Sequence, residues 1–301
     1  MIAGGQLRSR GAIEIAKPPR SSACPGRRAV NFGGWLFDAR EFAPESCPAD
    51  IDAIVSGLTT AHRRCAALGS GYLPVVIPAK RNLINVTASS DRGWMAELNG
   101  RLRDVDDVEL MQLFGVLRHA NRHGPPFHRT DADWNDLGAF FVARAVLKEA
   151  RKRLPALTPP SLADLHLRAV AGYRGTLAGL PTLELLDGEL VSSEADVPVE
   201  DGVETDTSRL RALRMPVESD LAQAGASHVR VYAIPGREDH PRIAVVGDSA
   251  AMPVVLWLAE CSGRTTFFCS EALPLAQLEL EAPRVIIHLL RETDLLSAAL
   301  R

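Results

Sequence analysis

No stretch of about 18 consecutive apolar residues occurs in the sequence, so we expect no helix of this chain to cross a bilayer. Residues 1–28 also lack the continuous apolar segment of a secretory signal, and they are rich in glycine, serine, proline and arginine. We predict that this stretch is a disordered lead-in to a domain that spans 29–301. As written, the sequence would leave the protein in the cytoplasm.

Cysteine is scarce, and no two of the five cysteines have Cys-x-x-Cys spacing. An odd number without such spacing argues against a zinc site and against a disulfide framework. Cys65 falls in a helical pattern, so we interpret it as a small core residue. Cys261 and Cys269 flank a predicted strand, and one disulfide between them is the remaining alternative. The other two cysteines are Cys24 and Cys47.

An excess of charge of one sign is absent too. The 34 basic and 37 acidic side chains give a formal net charge of −3, which indicates neither a nucleic-acid partner nor an anionic membrane surface. What the chain has instead is apolar material. Hydrophobic residues make up 46% of it, enough for the core of one large α/β domain.

Helices and short apolar strands alternate at both ends of the chain, which is typical of a parallel α/β sheet. Near the start, a helical pattern over 48–68 is closed by glycines and followed by an apolar strand over 72–78. The last quarter predicts the run strand, helix, strand, helix, strand at 243–246, 250–260, 265–269, 273–280 and 285–290. We therefore predict an α/β fold with a parallel sheet flanked by helices.

The middle of the chain is less regular. We predict helices over 94–102 and 139–154 and a short strand near 108–113. Between 155 and 240, prolines and glycines are frequent and periodicity is poor. We interpret this part as an irregular lobe that is inserted in the domain and covers it, with a strand at 229–232 that leads back to the sheet.

A candidate nucleophile stands at the end of a predicted strand, where Gly247-Asp248-Ser249 precedes a helix. Ligands of open parallel sheets bind beyond the carboxyl ends of the strands, so a serine there is exposed to substrate. The N–H groups at the helix start, near Ala250, suit an oxyanion. The alternative is that Ser249 only caps the helix, since serine is a favoured N-cap.

The acidic turn at 127–138 is the natural place for the base that a serine nucleophile needs, which is usually a histidine oriented by a carboxylate. Asp133 stands there instead, with no histidine within two residues on either side. A carboxylate is a poor proton acceptor from a hydroxyl at neutral pH. Alternatively, Asp133 and Asp136 form a capping box, with Asp131 as an outer cap.

Other residues near these segments are candidates for the missing base and for substrate binding. His128 is the first choice for a displaced base, and His123, His240 and His288 are further options. Lys80, at the end of the strand over 72–78, is a candidate for binding an anionic substrate, or it is simply solvated.

A metal site must be considered because Asp131-x-Asp133-x-Asn135 imitates the start of an EF-hand loop. Asp136 stands where the sixth position requires glycine, and Val142 where the twelfth requires glutamate, so we reject an EF-hand. A loose Mg²⁺ or Ca²⁺ site formed by Asp131, Asp133 and Asp248 stays as an alternative. We expect neither a cofactor nor a dedicated metal centre.

Five segments, in order, resemble the AlgX/AlgJ-like SGNH hydrolase-type acetyltransferases of the alginate O-acetylation apparatus. Each is short, but their common order is specific, and together they cover roughly residues 30 to 295. A less regular sixth, at 172–178, is also similar. The five are Gly-Trp-Leu-Phe at 34–37, Ile-Pro-Ala-Lys at 77–80, Arg-Thr-Asp-Ala-Asp-Trp-Asn at 129–135 with Gly-Ala at 138–139, Val-Gly-Asp-Ser at 246–249, and Ala-Pro-Arg-Val-Ile-Ile at 282–287 with Arg-Glu at 291–292.

The resemblance implies an SGNH hydrolase-like fold and transfer of acetyl groups to exopolysaccharide hydroxyls through an acetyl-serine, in the periplasm. By position, Ser249 is the nucleophile and Asp131 the orienting acid. The family's general base is the histidine of an Asp-x-His-Trp motif, and it falls on Asp133. The partners implied are a polysaccharide, an acetyl donor and a membrane acyl-transfer protein, with no nucleic acid.

The replaced histidine leaves three hypotheses. The first is an O-acetyltransferase that is impaired by Asp133. The second is an inactive relative that only binds polysaccharide or a partner of an export and modification system. The third is a plain SGNH esterase acting on small esters, which needs a working base as well.

Overall fold

The structure is a computed structural model, and it describes residues 28–42, 50–84, 93–106, 108–186, 189–193, 197, 199–223 and 228–296. The predicted lead-in lies outside this part except for Arg28, and so do Cys24 and Cys47. Among the helices that are described, none combines the length and the apolar character that a bilayer span requires.

The strands are β1 (Ala29–Phe32), β2 (Trp35–Asp38), β3 (Gly71–Ile77), β4 (Met111–Gln112), β5 (Leu167–Tyr173), β6 (Thr182–Leu186), β7 (Glu189–Ser193), β8 (Glu200–Thr205), β9 (Leu213–Met215), β10 (Val229–Ala233), β11 (Arg242–Gly247), β12 (Arg264–Cys269) and β13 (Val285–Arg291). The helices are α1 (Ile51–Ala67), α2 (Lys80–Leu83), α3 (Gly93–Asp106), α4 (Phe114–Ala120), α5 (Asp136–Arg151), α6 (Ser219–Gln223), α7 (Met252–Ala259), α8 (Leu275–Glu281) and α9 (Glu292–Leu296).

The main sheet has seven strands in the order β4-β3-β13-β11-β12-β10-β9. All neighbours from β4 to β12 pair in parallel, whereas β10 and β9 close one edge in antiparallel fashion. The expected parallel sheet flanked by helices is therefore confirmed. In this order β11 lies in the middle, so the residues that follow it emerge at the centre of the carboxyl edge.

The central strands are buried on both faces because helices cover the sheet from both sides. On one side, Val245 and Ile287 pack in a core with α5 and α7, where the rings of Phe140 and Trp257 meet edge to face at 5.0 Å. On the other side, Val246 packs with residues of α1 and α8. Such continuous apolar strands fix the position of the segment that follows β11.

Most predicted elements exist, with shifted ends. The predicted helix over 48–68 is α1, which the Asp50 side chain caps by accepting the Ala53 N–H at 2.9 Å. The helix predicted over 139–154 starts earlier, because Asn135 caps it, and ends at Arg151. The strand predicted near 108–113 shrinks to the two residues of β4.

Three cysteines lie in the described part, and Cys65, Cys261 and Cys269 are all free thiols. The alternative of a disulfide between Cys261 and Cys269 is therefore wrong. The reason is geometric: β12 stretches between them, and a strand rises about 3.3 Å per residue, which separates them well beyond the roughly 7 Å that a disulfide can bridge. Cys65 is fully buried.

The stretch between 155 and 240 contributes to three sheets. β5 and β8 form a two-stranded ribbon, while β6 and β7 join β1 and β2 in a sheet of order β2-β1-β6-β7. β9 and β10 belong to the main sheet, with β10 as the strand expected at 229–232. Its description as one inserted lobe of a single domain stays a prediction.

Candidate active site

The acidic turn and the segment after β11 meet, as the sequence predicts. The indole N–H of Trp134 donates to the carbonyl oxygen of Ala250 at 2.9 Å. The turn is closed by a bridge between Phe127 and Trp134 and by the Asn135 N–H, which donates to Pro126 at 2.9 Å. These contacts join Trp134 and Ala250, the chain neighbours of Asp133 and Ser249, at the carboxyl edge of the sheet.

Ser249 starts a short 3₁₀ turn (Ser249–Ala251) that leads into α7, and it is exposed. The cap of this turn is Asp248, whose carboxylate accepts the Ala250 N–H at 3.0 Å. The alternative of Ser249 as the cap is therefore wrong. Its hydroxyl has no hydrogen-bond partner in the described part of the chain. It is free to attack a substrate, although the Ala250 N–H that we assigned to the oxyanion is occupied by Asp248.

Asp133 faces an arginine. The guanidinium of Arg291, at the end of β13, lies 2.7 Å from the Asp133 carboxylate and donates a second hydrogen bond to Asp248. Burial raises the pKa of Asp133, and the charge of Arg291 opposes that rise. Burial acts against the charge of Arg291, yet Asp133 and Asp248 hold its pKa above the ordinary value. Arg291 therefore bridges the acidic turn and the serine segment.

The capping interpretation of the acids is wrong, because Asn135 is the N-cap of α5. Its side-chain oxygen accepts the Gly138 N–H at 3.0 Å. Asp136 accepts the backbone N–H of Thr205 instead. A side chain at Gly138 would collide with the Pro126 carbonyl, so glycine allows the turn to fold back on α5. Asp133 is thereby left to face the site.

Asp131 points away from Asp133, toward the segment at 172–178. One carboxylate oxygen of Asp131 accepts two hydrogen bonds from Thr176, one from the backbone N–H at 3.0 Å and one from the side-chain hydroxyl at 2.6 Å. The other accepts the hydroxyl of Tyr173. Its role as the orienting acid stays a prediction, but in this arrangement Asp131 fastens the covering segment to the turn.

His128 does not reach the serine. It is buried, its Nε2 accepts the Val203 N–H at 3.0 Å, and its ring lies against Tyr173 with centroids 3.9 Å apart. Burial lowers the pKa of His128, which keeps it neutral. A base must lie within hydrogen-bond reach of the proton that it takes, so His128 cannot serve Ser249 in this arrangement.

The other histidines do not replace it. All eight histidines lie in the described part of the chain, and none hydrogen-bonds to Ser249. His288 is held between the Tyr72 hydroxyl and the Glu271 carbonyl, and burial lowers its pKa to about 4. His123 stacks on Phe141, and His240 lies beside Asp239.

Lys80 is a structural clamp. It is 1% exposed, and its ammonium lies within 2.7–3.0 Å of the carbonyl oxygens of Leu36, His128, Arg129 and Asp131. Burial lowers its pKa to about 8, with Glu41 acting in the opposite direction. The expectation that Lys80 binds an anionic substrate is not supported, because the ammonium already donates hydrogen bonds to backbone carbonyls of β2 and of the acidic turn.

An open pocket lies between these groups, and its space is about 470 Å³ when the open solvent at its mouth is included. The sequence analysis gave no role to several charged residues of this pocket. Arg291 is one of them, although it follows a predicted strand, and the rule that ligands bind beyond the carboxyl ends of strands would have identified it as it identified Ser249. Burial raises the pKa of another of them, Glu41, to about 7. The pocket is lined by Asp38, Arg40, Glu41, Ile77, Pro78, Ala79, Lys80, Phe127, Ala132, Asp133, Trp134, Ala250, Arg291, Glu292 and Thr293.

The three acids of the alternative metal site face other partners. Asp131 faces Tyr173 and Thr176, while Asp133 and Asp248 face Arg291. Within the described ranges, no group of three or more His, Cys, Asp or Glu side chains is placed to hold a metal ion. This arrangement gives no support to the alternative of a Mg²⁺ or Ca²⁺ site at Asp131, Asp133 and Asp248.

The fold and the site define a class. The family model for the SGNH hydrolase-like domain of the acetyltransferase AlgX matches residues 32–252. That range is more than half of the chain and contains both the acidic turn and Ser249. The chain therefore belongs to this family, as the ordered motifs imply.

A curated relative agrees with this assignment. The chain is 29% identical over 179 residues to the probable alginate O-acetylase AlgJ of Pseudomonas aeruginosa. The matched part is 55% of this chain and 44% of that protein, so this chain spans less than half of its length.

Solved structures show the same fold at low identity. The O-acetyltransferase domain of Pseudomonas putida AlgJ superposes with a TM-score of 0.57 and 17% identity, covering 90% of this chain and 92% of that one. PatB1 of Bacillus cereus gives a TM-score of 0.62 and 13% identity, covering 89% and 97%.

Proposed function

We propose that this chain is an acyl-transfer domain of an exopolysaccharide O-acetylation system, in which Ser249 carries the acetyl group. The observation that supports this most is the position of Ser249, which is exposed after the central strand β11 and directly precedes Ala250, a residue of the pocket that Asp133 also lines. The proposal also assigns the domain to the periplasm and to a membrane partner that supplies the acetyl group, as the family resemblance implies.

The reaction has two steps, and each transfers the acetyl group from one oxygen to another. The Ser249 hydroxyl attacks the carbonyl carbon of an acetyl ester, the donor alcohol leaves with a proton, and an acetyl-serine forms. A sugar hydroxyl then attacks that ester, takes the acetyl group and returns the proton to Ser249. In both steps a group near Ser249 must hold the proton in transit.

We assign the proton to Asp133 because it stands at the family's base position, although it makes no hydrogen bond to Ser249 in this arrangement and a carboxylate is a weak base. Burial raises its pKa, which improves proton acceptance, but Arg291 at 2.7 Å stabilises the ionised form. Loss of a triad histidine costs several orders of magnitude in rate in well-studied hydrolases. The proposal therefore includes slow acyl transfer.

One observation favours a second function, the binding of polysaccharide without turnover. The family's base position carries an acid that Arg291 ties to Asp248, and no histidine replaces it. A cleft with hydrogen-bonding charges at its rim can hold sugar hydroxyls without reacting with them.

Labelling with p-nitrophenyl acetate separates the two functions. For acyl transfer, we expect mass spectrometry to find acetyl-Ser249 in the natural chain at a slow rate, faster in Asp133→His, and not at all in Ser249→Ala. If only Asp133→His is labelled, the natural chain is a binding domain with a disabled site. If neither chain is labelled at Ser249, the nucleophile assignment fails.

A further inference from the structure

The two-stranded ribbon formed by β5 and β8 contacts the acidic turn, and the proposed reaction gives it no role. In the part of the chain that the structure describes, these two strands pair only with each other. An isolated pair of strands is at best marginally stable in water. Contacts outside the ladder therefore decide whether the ribbon stays in place.

β8 presents its outer backbone edge to side chains instead of to another strand. In an antiparallel pair, every second N–H of a strand points away from its partner. The N–H of Val203 donates to Nε2 of His128 at 3.0 Å, and the N–H of Thr205 donates to the Asp136 carboxylate. Two titratable side chains, one from the acidic turn and one from α5, thus take the place of a neighbouring strand.

The contact between His128 and Val203 exists in one protonation state only. A backbone N–H is always a donor, so Nε2 must accept the hydrogen bond and can carry no proton. The protonated imidazole has a hydrogen on both nitrogens, and it would direct an N–H at the N–H of Val203. Uptake of a proton by His128 therefore turns this attraction into a repulsion.

Charged groups from several elements face His128 and act in opposite directions. Burial lowers the pKa of His128 most strongly, three acids act against this, and Lys80 acts with burial. Burial also raises the pKa of Tyr173, whose ring lies on that of His128, so the hydroxyl stays neutral. The ring of His128 is therefore neutral at pH 7. The three acids are Asp131 of the acidic turn, Glu200 of β8 and Asp136 of α5.

The ribbon is anchored at one end and held by polar links along the rest. Leu167, at the start of β5, packs against the main core, and Thr205 opposite it is buried. Toward the other end, Glu200 accepts the N–H of Thr130 at 3.1 Å, and the Tyr173 hydroxyl donates to Asp131. The contact of Val203 with His128 lies between the anchored end and these links.

We propose that this ribbon is a pH-sensitive strap, closed on the acidic turn while His128 is neutral and opened when His128 is protonated. The closed state binds the neutral ring, so closure is complete above about pH 6.5, the ordinary pKa of histidine, and is lost as the pH falls through the lower pKa of the folded chain. Opening loosens the turn that carries Asp133. The strap does not depend on acyl transfer at Ser249.

Hydrogen exchange of the whole chain, resolved by peptides and corrected for the intrinsic rate at each pH, tests the strap between about pH 7.5 and pH 5. We expect the protection of 200–205 to fall by up to about 10-fold per pH unit below about pH 6.5, because one proton is taken up on opening. β11 should keep its protection. Equal losses in β11 and the ribbon, or constant protection of the ribbon, would overturn the proposal.

Two variants separate the histidine from the rest of the ribbon. In His128→Gln the amide oxygen can accept the Val203 N–H and does not titrate, so the pH dependence should disappear. The matched control His166→Gln changes a half-buried histidine directly before β5 and should keep it. A pH dependence that persists in His128→Gln, or that is lost in His166→Gln, would contradict the assignment to His128.

Val203→Pro tests the same contact from the other side. It removes the donor N–H but no hydrogen bond of the ladder, because this N–H points away from β5. We expect the ribbon to exchange rapidly at every pH in this variant, while β11 stays protected. Protection of 200–205 equal to that of the natural chain at about pH 7.5 would show that the contact does not hold the strap.

Discussion

The two halves of the site are held in place by different forces. Ser249 follows β11, whose residues Val245 and Val246 are fully buried between two layers of helices. The acidic turn also packs Phe127, Trp134 and Leu137 in this core, but its polar residues are held by charged and polar contacts to distant parts of the chain, through Lys80, Asp131 and Arg291. The serine side therefore depends mainly on apolar packing, whereas the turn side depends on electrostatics as well.

This difference bears on the position to which the family resemblance assigns the base. A position fixed by the core keeps its geometry when neighbouring polar residues change. A turn whose polar residues are held by ion pairs changes its chemistry with one substitution, and Asp133 beside Arg291 stands where the family resemblance places the base histidine. Variants of the turn should therefore leave the serine side intact, and this separation can be tested.

The largest effect is expected for Lys80→Met. It leaves four carbonyl oxygens without the ammonium, and unsatisfied buried acceptors cost free energy, so we expect a loss of about 3 kcal/mol in the free energy of unfolding. Urea unfolding measures it, with the exposed Lys152→Met as control. Hydrogen exchange should become faster in residues 128–134 and stay slow in β11. Equal acceleration in both segments would contradict the separation.

Arg291→Gln tests the link between the two halves. It leaves the carboxylates of Asp133 and Asp248 close together without their cation, and we expect a loss of about 2 kcal/mol at neutral pH. This is less than for a fully buried pair, because the three side chains are 22–33% exposed.

The effect of Arg291→Gln has a pH signature. In the variant the charge of Arg291 no longer opposes the rise in the pKa of Asp133, so protonation at lower pH relieves the repulsion. The difference in stability from the natural chain should therefore shrink as the pH falls. Arg40→Gln is the matched control, since Arg40 lines the same pocket but pairs with Asp38. A pH-independent loss would mean that Arg291 acts through packing.

The sequence predicts the serine side well because local patterns determine it. Apolar runs indicate β11 and β13, and the rule that ligands bind at the carboxyl ends of strands points to Ser249. The same rule applies to Arg291, but its pairing with Asp133 cannot be read from either segment. It depends on the order of the strands and on the path of the acidic turn.

The turn side is less predictable for the same physical reason. Lys80 binds carbonyls of β2 and of residues 128–131, and Asp131 binds Tyr173 and Thr176, so both contacts span more than forty residues. The sequence analysis assigned the N-cap of α5 to the acids, because Asp131, Asp133 and Asn135 all have side chains that can cap a helix and the local sequence does not distinguish them. Tertiary contacts, which the sequence does not display, select Asn135.

Asp131→Asn should have a smaller effect on stability. It tests whether Asp131 orients the base or only fastens the covering segment to the turn. The amide cannot accept from both Tyr173 and Thr176 as the carboxylate does, so we expect a loss of about 1 kcal/mol and faster hydrogen exchange at 173–176. In the Asp133→His background, labelling of Ser249 should change less than about 2-fold. A much larger decrease in labelling, without a larger loss of stability, would show that Asp131 orients the base.

The smallest effect concerns the pH dependence of stability on the turn side. Burial raises the pKa of Glu41 from 4.5 to about 7, so the folded chain keeps a proton that the unfolded chain releases within this range. The contribution of Glu41 is therefore full below pH 4.5 and is lost as the pH rises through about 7. Glu41→Gln should flatten this decrease in urea unfolding measured across the range, while the exposed Glu97→Gln should keep it. An unchanged slope in Glu41→Gln would mean that Glu41 stays ionised beside Lys80, and the turn side would then rest on a buried ion pair.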